Sequence, residues 1–519
     1  MSAEKVSRTA WAILAAMGFG ALTAQMFSTV IGPALPTIKN ALSLSLSMQT
    51  WTITSYSLAF GTALVAGGRL GDLVGEVKMI VIGFSIFGAG LVMAATATSG
   101  EILVAGRTVQ GIGIGISAPA TLSIVVNSFP AVRHGFAVGV WGFAHGFGLL
   151  IGPIFAGYVL QVLTWRWVFW IAVPLTVAVI FVTLAATRGY TSVRASGKYD
   201  ILGLILGGTG ITLVTLGMQN FSGGWSQPGT WGSLVLGLAF LIAFGIAEAK
   251  VSDPLVDFTL WKKRPFSGGF FAESAVGFVY IPMLTFVGSL FLISVADFTP
   301  VQASWIMVIT TGICMVLQPP AGRLVDKIGP RIPITIALLM QAAALFWMGS
   351  FNAGTTLGQM IIPLALMGAG VGVALPACNT AGMSAVGAKC AGMGSGLMQM
   401  TFNIPAALGM AVVTSIVGTL SLGKVQTELA GQPYADRAIQ YAEAMQNGDI
   451  SGANSILQGL PAEAARAVEH AVENAQASSI ALSMLVLGVV ALVGAIFAFV
   501  IIGKRREPDR LPATDLTRG

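Results

Sequence analysis

Long apolar runs follow one another along almost the whole chain, each broken by a short charged or turn-rich connection. A bilayer core requires about 20 apolar residues per helix. Runs of that kind predict spans near 11–36, 48–71, 79–99, 102–127, 135–161, 165–188, 201–220, 230–249, 265–295, 302–322, 332–351, 357–384, 391–420 and 477–503. They number about fourteen, and an even number returns both ends of the chain to one side. The first run, Trp11 to Leu35, is too long for a signal-peptide core and lacks a small-residue cleavage site close after it, so it reads as a retained span. One connection is long, 421–478; from Pro461 onward it reads as a helix with proline in its first turn, able to run on into the final span.

Composition narrows the solvent to lipid. Of 519 residues 55% are hydrophobic and 9% charged, with a mean hydropathy of +0.82, which leaves no room for a second, soluble domain. The 65 glycines would weaken soluble helices but let membrane helices approach closely and bend. Cys314, Cys378 and Cys390 have no ligand-like spacing and read as packing residues; no disulfide framework, metal site or other cofactor is expected.

Charge gives the orientation. Of the 27 basic residues, all but Lys39, Arg107, Arg166, Lys424, Arg437 and Arg466 fall on the side of the termini. The positive-inside rule makes that side the cytoplasm of a bacterial inner (plasma) membrane. The net charge of +6 then matches anionic lipid headgroups and needs no nucleic-acid partner. Lys504-Arg505-Arg506 reads as a stop-transfer signal before a short tail. In the long outer connection, Lys424, Arg437 and Arg466 face Glu428, Asp436, Glu443, Asp449, Glu463, Glu469 and Glu473, so that loop is either a structural cap or an acidic collar that attracts cations.

Gly68-Arg-Leu-Gly-Asp72-Leu-Val-Gly75-Glu-Val-Lys78 lies between the second and third spans, and a degenerate copy runs from Gly322 through Asp326 to Arg331 after the tenth. Glycines permit a tight turn there, and an acid at a helix end with a base beyond the turn can form charge pairs that hold one conformation closed. The first copy resembles the signature of the major facilitator superfamily, and the duplication points to two homologous halves. Arg107-Thr-Val-Gln110-Gly111 is similar to the family's membrane-embedded arginine motif. Gly148-x-x-x-Gly152-Pro153-x-x-x-Gly157 is similar to its antiporter motif. Trp165-Arg166-Trp167-Val-Phe169 with Pro174, Asp200-x-x-Gly203, and Pro254-Leu-Val-Asp257-x-x-Leu260 resemble features of the fourteen-span drug:proton antiporter branch.

The resemblance implies an all-α polytopic membrane protein of the major-facilitator fold. A six-helix bundle would occupy 1–190, two linker spans 191–262, a second six-helix bundle 263–503 and a cytoplasmic tail 504–519. It also implies a cavity between bundles that rock against each other. Two departures stand out: Phe27 occupies the first-span position where that branch carries an aspartate, which removes cationic-drug recognition by this residue, and Glu76 and Val77 stand where basic residues are common.

Proton coupling needs a titratable group reachable from each side in turn. Among the acids Glu273 alone lies well inside a predicted span, with Asp297 at the outer end of the same one. A charge at the centre of a membrane helix costs roughly 2.5–3.5 kcal/mol on insertion scales, so Glu273 is protonated, paired or functional, or lies nearer the surface. Arg107 is the one base placed within the membrane, either a structural arginine bonded to carbonyls or a charge that relays a carboxylate's protonation. His145 titrates near neutrality unless it is hydrogen-bonded core. Gln25, Phe27, Trp51, Tyr56, Tyr280 and Asn403 are candidates for the cavity wall, Trp51 doubling as an interfacial anchor.

These observations predict a secondary transporter, not an enzyme, whose partners are a small molecule, protons and membrane lipid. With so little charge inside, the cargo is expected to be lipophilic or amphiphilic and the direction export by proton antiport. The alternative is a proton-linked metabolite uptake symporter or a carrier of lipid-like molecules. An enzyme would need convergent catalytic groups; Gly113-x-Gly115-x-x-Ala118 sits inside a span with no preceding strand, unlike a dinucleotide loop.

Overall fold

The computed structural model describes residues 6–192, 194–195, 199–220, 228–251, 254–296, 298–352, 354–446 and 450–502. Asp297, Asp449 and the tail from Lys504 lie outside them. Helices dominate in the order α1 Arg8–Thr29, α2 Ile31–Leu42, α3 Leu46–Val74, α4 Glu76–Ala95, α5 Gly100–Ser128, α6 His134–Val162, α7 Trp167–Trp170, α8 Ala172–Ala186, α9 Ile201–Asn220, α10 Pro228–Glu248, α11 Arg264–Thr285, α12 Pro300–Ile328, α13 Arg331–Met348, α14 Leu357–Ser384, α15 Ala391–Glu428, α16 Ala435–Gln446, α17 Ile450–Gln458 and α18 Ala462–Ile501. Among the described residues twelve helical stretches are long and apolar enough to cross a membrane. Beside them run α9, whose apolar stretch Ile201–Gly217 is shorter, and α3, whose 29 residues span about 44 Å at 1.5 Å per residue.

Local chemistry explains the breaks. The first predicted span divides at Val30 because Ser28 and Thr29 turn their hydroxyls back onto the carbonyls of Gln25 and Met26, just before Gly32-Pro33. Gly75, at φ 109°, makes the left-handed corner between α3 and α4. Thr299 with Gln302, and Thr356 with Gln359, form capping boxes at the starts of α12 and α14. Beyond Pro282 the turn of α11 loosens into a π-helical stretch over Phe286–Val295.

Two hydrophobic cores form, one from α1 to α8 and one from α11 to α15 with α18. Helices α9 and α10 pack on each other, and α9 leans on α3 and α15. Large apolar side chains such as Ile154, Phe181 and Val500 remain exposed, as a lipid-facing exterior requires. The long outer connection is mostly helical. The thirteenth span runs on to Glu428, the last helix begins at Ala462 behind Pro461, and these ends enclose α16 and α17 around Tyr441, Ala442, Val468 and Val472.

Glycine seams set the helix spacing. On α4, a Cβ at Gly83 would lie 2.5 Å from Gly113 O, and one at Gly90 would lie 2.7 Å from Gln110 N, both on α5. A larger side chain must therefore push the helices apart, which costs about 1–3 kcal/mol or more. Gly83→Leu is expected to lower the melting temperature of the purified protein by several degrees. Gly157→Ala, with nothing within 4 Å of its Cβ position, should leave it unchanged, and equal shifts in a thermal unfolding scan would refute the seam.

Candidate transport site and gate

The end of the molecule that carries both signature copies is closed by two matching contacts between the halves. Asp72, near the C-terminus of α3, accepts the backbone N–H groups of Gly392 (2.6 Å) and Met393 (2.8 Å) at the start of α15. Asp326, near the end of α12, accepts those of Gly135 (2.7 Å) and Phe136 (2.9 Å) at the start of α6. Each carboxylate thus caps the positive terminus of a helix from the opposite half, where a negative charge is best placed. The backbones approach because Gly68 meets Gly392 and Gly322 meets Gly135 with no side chains between. Ser395 Oγ adds a bond to Pro119 O across the same seam.

The expected basic partners lie elsewhere. Lys78 is exposed, and Arg331 donates to Phe499 O at 2.8 Å with its guanidinium over the Phe499 ring. Backbone N–H groups are the hydrogen-bond donors to both carboxylates, with the Arg69 charge also beside Asp72. Glu76, whose acidity broke the family pattern, is 1% exposed and accepts from Asn127 Nδ2 at 3.0 Å and Ser123 Oγ at 3.4 Å. Tyr190 lies beside it in the segment after α8; burial, and then the Glu76 charge, push its phenol above the ordinary value. That segment returns to the gate, where Ala195 N donates to Asp72 O.

Glu273 occupies α11 about 14 Å along the helix from Arg264 at 1.5 Å per residue and is 2% exposed. Oε1 accepts from Asn379 Nδ2 at 2.8 Å, and Oε2 has no hydrogen-bond partner among the described residues. Thr401 on α15 adjoins it. Arg107 is also buried, but in the first half: it donates to Thr52 O and Gln110 Oε1, and its guanidinium stands 4.3 Å from the Tyr56 ring centre. Gln110 in turn donates to Gly90 O. The two buried groups therefore stand in separate halves, Arg107 held by Thr52 and Gln110 and Glu273 bonded through Oε1 to Asn379.

The remaining candidates scatter. His145 stacks at a tilt on Trp141, one residue from the Gly146 that faces Met315 and Gln318 of α12. In the antiporter motif Gly148 and Gly152 press on α1 at Leu22 and Met26, Pro153 is exposed and Gly157 faces open space. Gln25 is half-buried on α1, and Phe27 is sunk in the first core against Phe155. Trp51 is exposed, Tyr280 is buried beside Cys314, and Asn403 is exposed with its amide on Gln399 O.

A cavity of about 360 Å³, which sequence reasoning missed, lies between the inserted helices and both halves. Thr62 and Val65 of α3, Gly207 and Ile211 of α9, Phe244 of α10, Phe270 and Ser274 of α11, and Leu397 and Thr401 of α15 line it. Its volume and apolar walls suit a small lipophilic molecule. Thr401 is shared between this wall and the Glu273 environment, so the buried carboxylate stands one side chain behind the cavity. The glycines of α9 were the available signal, since they clear space against Phe244 and Thr62.

A family model described as Major Facilitator Superfamily matches residues 17–410. The chain is 26% identical over 528 residues to the tetracenomycin C resistance and export protein of Streptomyces glaucescens, covering 98% of this chain and 96% of the relative. It is 26% identical to multidrug resistance protein Stp of Mycobacterium tuberculosis, covering 84% and 80%. The solved human organic anion transporter MFSD10 superposes with a TM-score of 0.63 at 14% identity, over 94% of this chain and 99% of that one, a likeness of fold.

Proposed function

The chain belongs to the major facilitator superfamily, and from that premise we propose that it exports small amphiphilic or lipophilic compounds in exchange for protons, the two halves rocking to give alternating access. The observation that carries this reading is Glu273, a buried carboxylate with one unpartnered oxygen, one side chain behind an apolar cavity. A proton there neutralises the site at little cost, and its departure leaves a charge that the apolar surroundings disfavour. Cargo bound next to it and a proton bound on it therefore compete through the same small volume. Near full-length similarity to an export protein supports the direction.

The gate contacts give the rocking two states. With Asp72 and Asp326 seated on α15 and α6, the signature end is closed; breaking both sets of bonds opens it. Placing that end in the cytoplasm, as the basic residues suggest, makes the described conformation the one closed to the cell interior. Arg107 and its Tyr56, Gln110 and Thr52 contacts act as a fixed buried charge that holds α3 and α5 together, and Phe27 as packing.

Purified protein in liposomes carrying an internal pH dye tests the reading. Gradients of lipophilic cations, neutral antibiotics and lipid-like compounds are imposed in turn. Proton movement opposite to cargo is expected, whereas parallel movement would point to uptake symport and no movement with any compound to a carrier with another driving force.

A further inference from the structure

Two more acids meet where the inserted helices end, next to the signature end. Asp200 stands just before α9, and its Oδ1 accepts Gly203 N at 2.8 Å. Glu248 closes α10 at 3% exposure, and its Oε2 accepts Val256 N at 3.3 Å. The other two oxygens, Asp200 Oδ2 and Glu248 Oε1, are buried and have no hydrogen-bond partner among the described residues. They face one spot: a Cβ built on Gly203 would collide with both, and the two carboxyl groups lie in hydrogen-bonding range of each other.

Two acceptor-only oxygens buried together cannot both stay ionised without a donor between them. A hard divalent cation would need six or more oxygen ligands, or several waters, and among the described residues no group of three or more His, Cys, Asp or Glu gathers to hold a metal. A single proton satisfies both oxygens. We propose that Asp200 and Glu248 form a proton-binding site, sharing one proton that clasps the ends of α9 and α10 together.

Among the described residues, the neighbours leave that proton as the partner. Tyr199 precedes Asp200, its hydroxyl buried without a bond. Lys250 follows Glu248 and is exposed. In the segment after α10, Asp257 caps Thr259 N and, like Lys263, lies near Cys390, while Lys263 Nζ donates to Ala385 O. From α3 and α15, packed against α9, the nearby cavity wall receives Thr62, Val65, Leu397 and Thr401, all uncharged. The backbone groups that the pair holds, Gly203 N and Val256 N, belong to residues lining the same cavity, so the clasp sets how firmly the inserted helices close over it.

Linkage fixes the sign. The folded pair retains a proton that an unfolded carboxyl releases near its ordinary pKa of about 4. The clasp is therefore fully present below that value and is lost as pH rises through the folded value. Amide hydrogen exchange on the full chain, corrected for intrinsic base catalysis, reads it at peptides covering 201–210 and 254–260. Above the folded value, local opening is expected to rise by up to about tenfold per pH unit in the wild type. Glu248→Gln supplies an N–H to Asp200 in place of the proton and still accepts from Val256, so its profile should be flat with pH; Asp200→Asn does the same from the other side. A flat wild-type profile, or amide variants that keep the wild-type slope, would overturn the shared proton.

Discussion

Glu273→Gln is expected to reduce proton flux coupled to cargo to the level of empty liposomes while the protein remains folded and still binds cargo. Glutamine has the volume of glutamate, its carbonyl oxygen can accept from Asn379 Nδ2 as Oε1 does now, and its amide occupies the place of the unpartnered Oε2. What disappears is the proton. Removal of a potential charge from within a membrane helix saves up to roughly 2.5–3.5 kcal/mol of insertion cost, so the melting temperature should hold or rise. Dye-reported pH in liposomes, with cargo binding measured separately, makes the distinction. Unchanged proton flux would remove Glu273 from the coupling step, and loss of folding would show that the carboxylate is structural.

The second large effect is expected at the gate. Asp72→Ala removes two charge-assisted bonds to Gly392 and Met393, from a residue 2% exposed. Each bond to a charged group contributes about 1.5–3 kcal/mol, so the loss disfavours the closed signature end by at least about 3 kcal/mol, more than about 100-fold in population. Asp326→Ala acts in the same direction more weakly because Asp326 is half-buried, and the double variant should populate the open form at that end. Spin labels at the exposed positions 78 and 389, one on each half, read the distance across the seam. A long-distance population that grows from the single to the double variant is the expected result. An unchanged distribution would show that the glycine contacts, not the carboxylates, hold the gate.

Much of this was legible along the chain because lipid imposes a coarse rule. Every span must be helical and mostly apolar, so the order of spans and the two turns at Gly75 and Gly329 follow from hydropathy and glycine placement. Glu273 was legible for the same reason, since a carboxylate in such a run stands out. Glu76 stood out along the chain only as an acid where basic residues are common, yet Asn127, Ser123 and Tyr190, 47 or more residues away, give it a buried polar niche. The outer connection read as a loop because its acidic residues hide the short apolar stripe that Tyr441, Ala442, Val468 and Val472 form once α16 and α18 meet.

By itself the sequence determined an all-helical membrane protein, and it predicted paired halves, two inserted helices and a deep carboxylate, because burial in lipid acts residue by residue within each span. Tertiary structure alone decided the rest. It separated Arg107 from Glu273, turned Asp72 and Asp326 onto backbone termini in the opposite half, left a cavity beside Thr401, and brought Asp200 to Glu248. Each of these is a contact between helices far apart along the chain, set by glycine-limited packing distances and by where buried donors remain for buried acceptors.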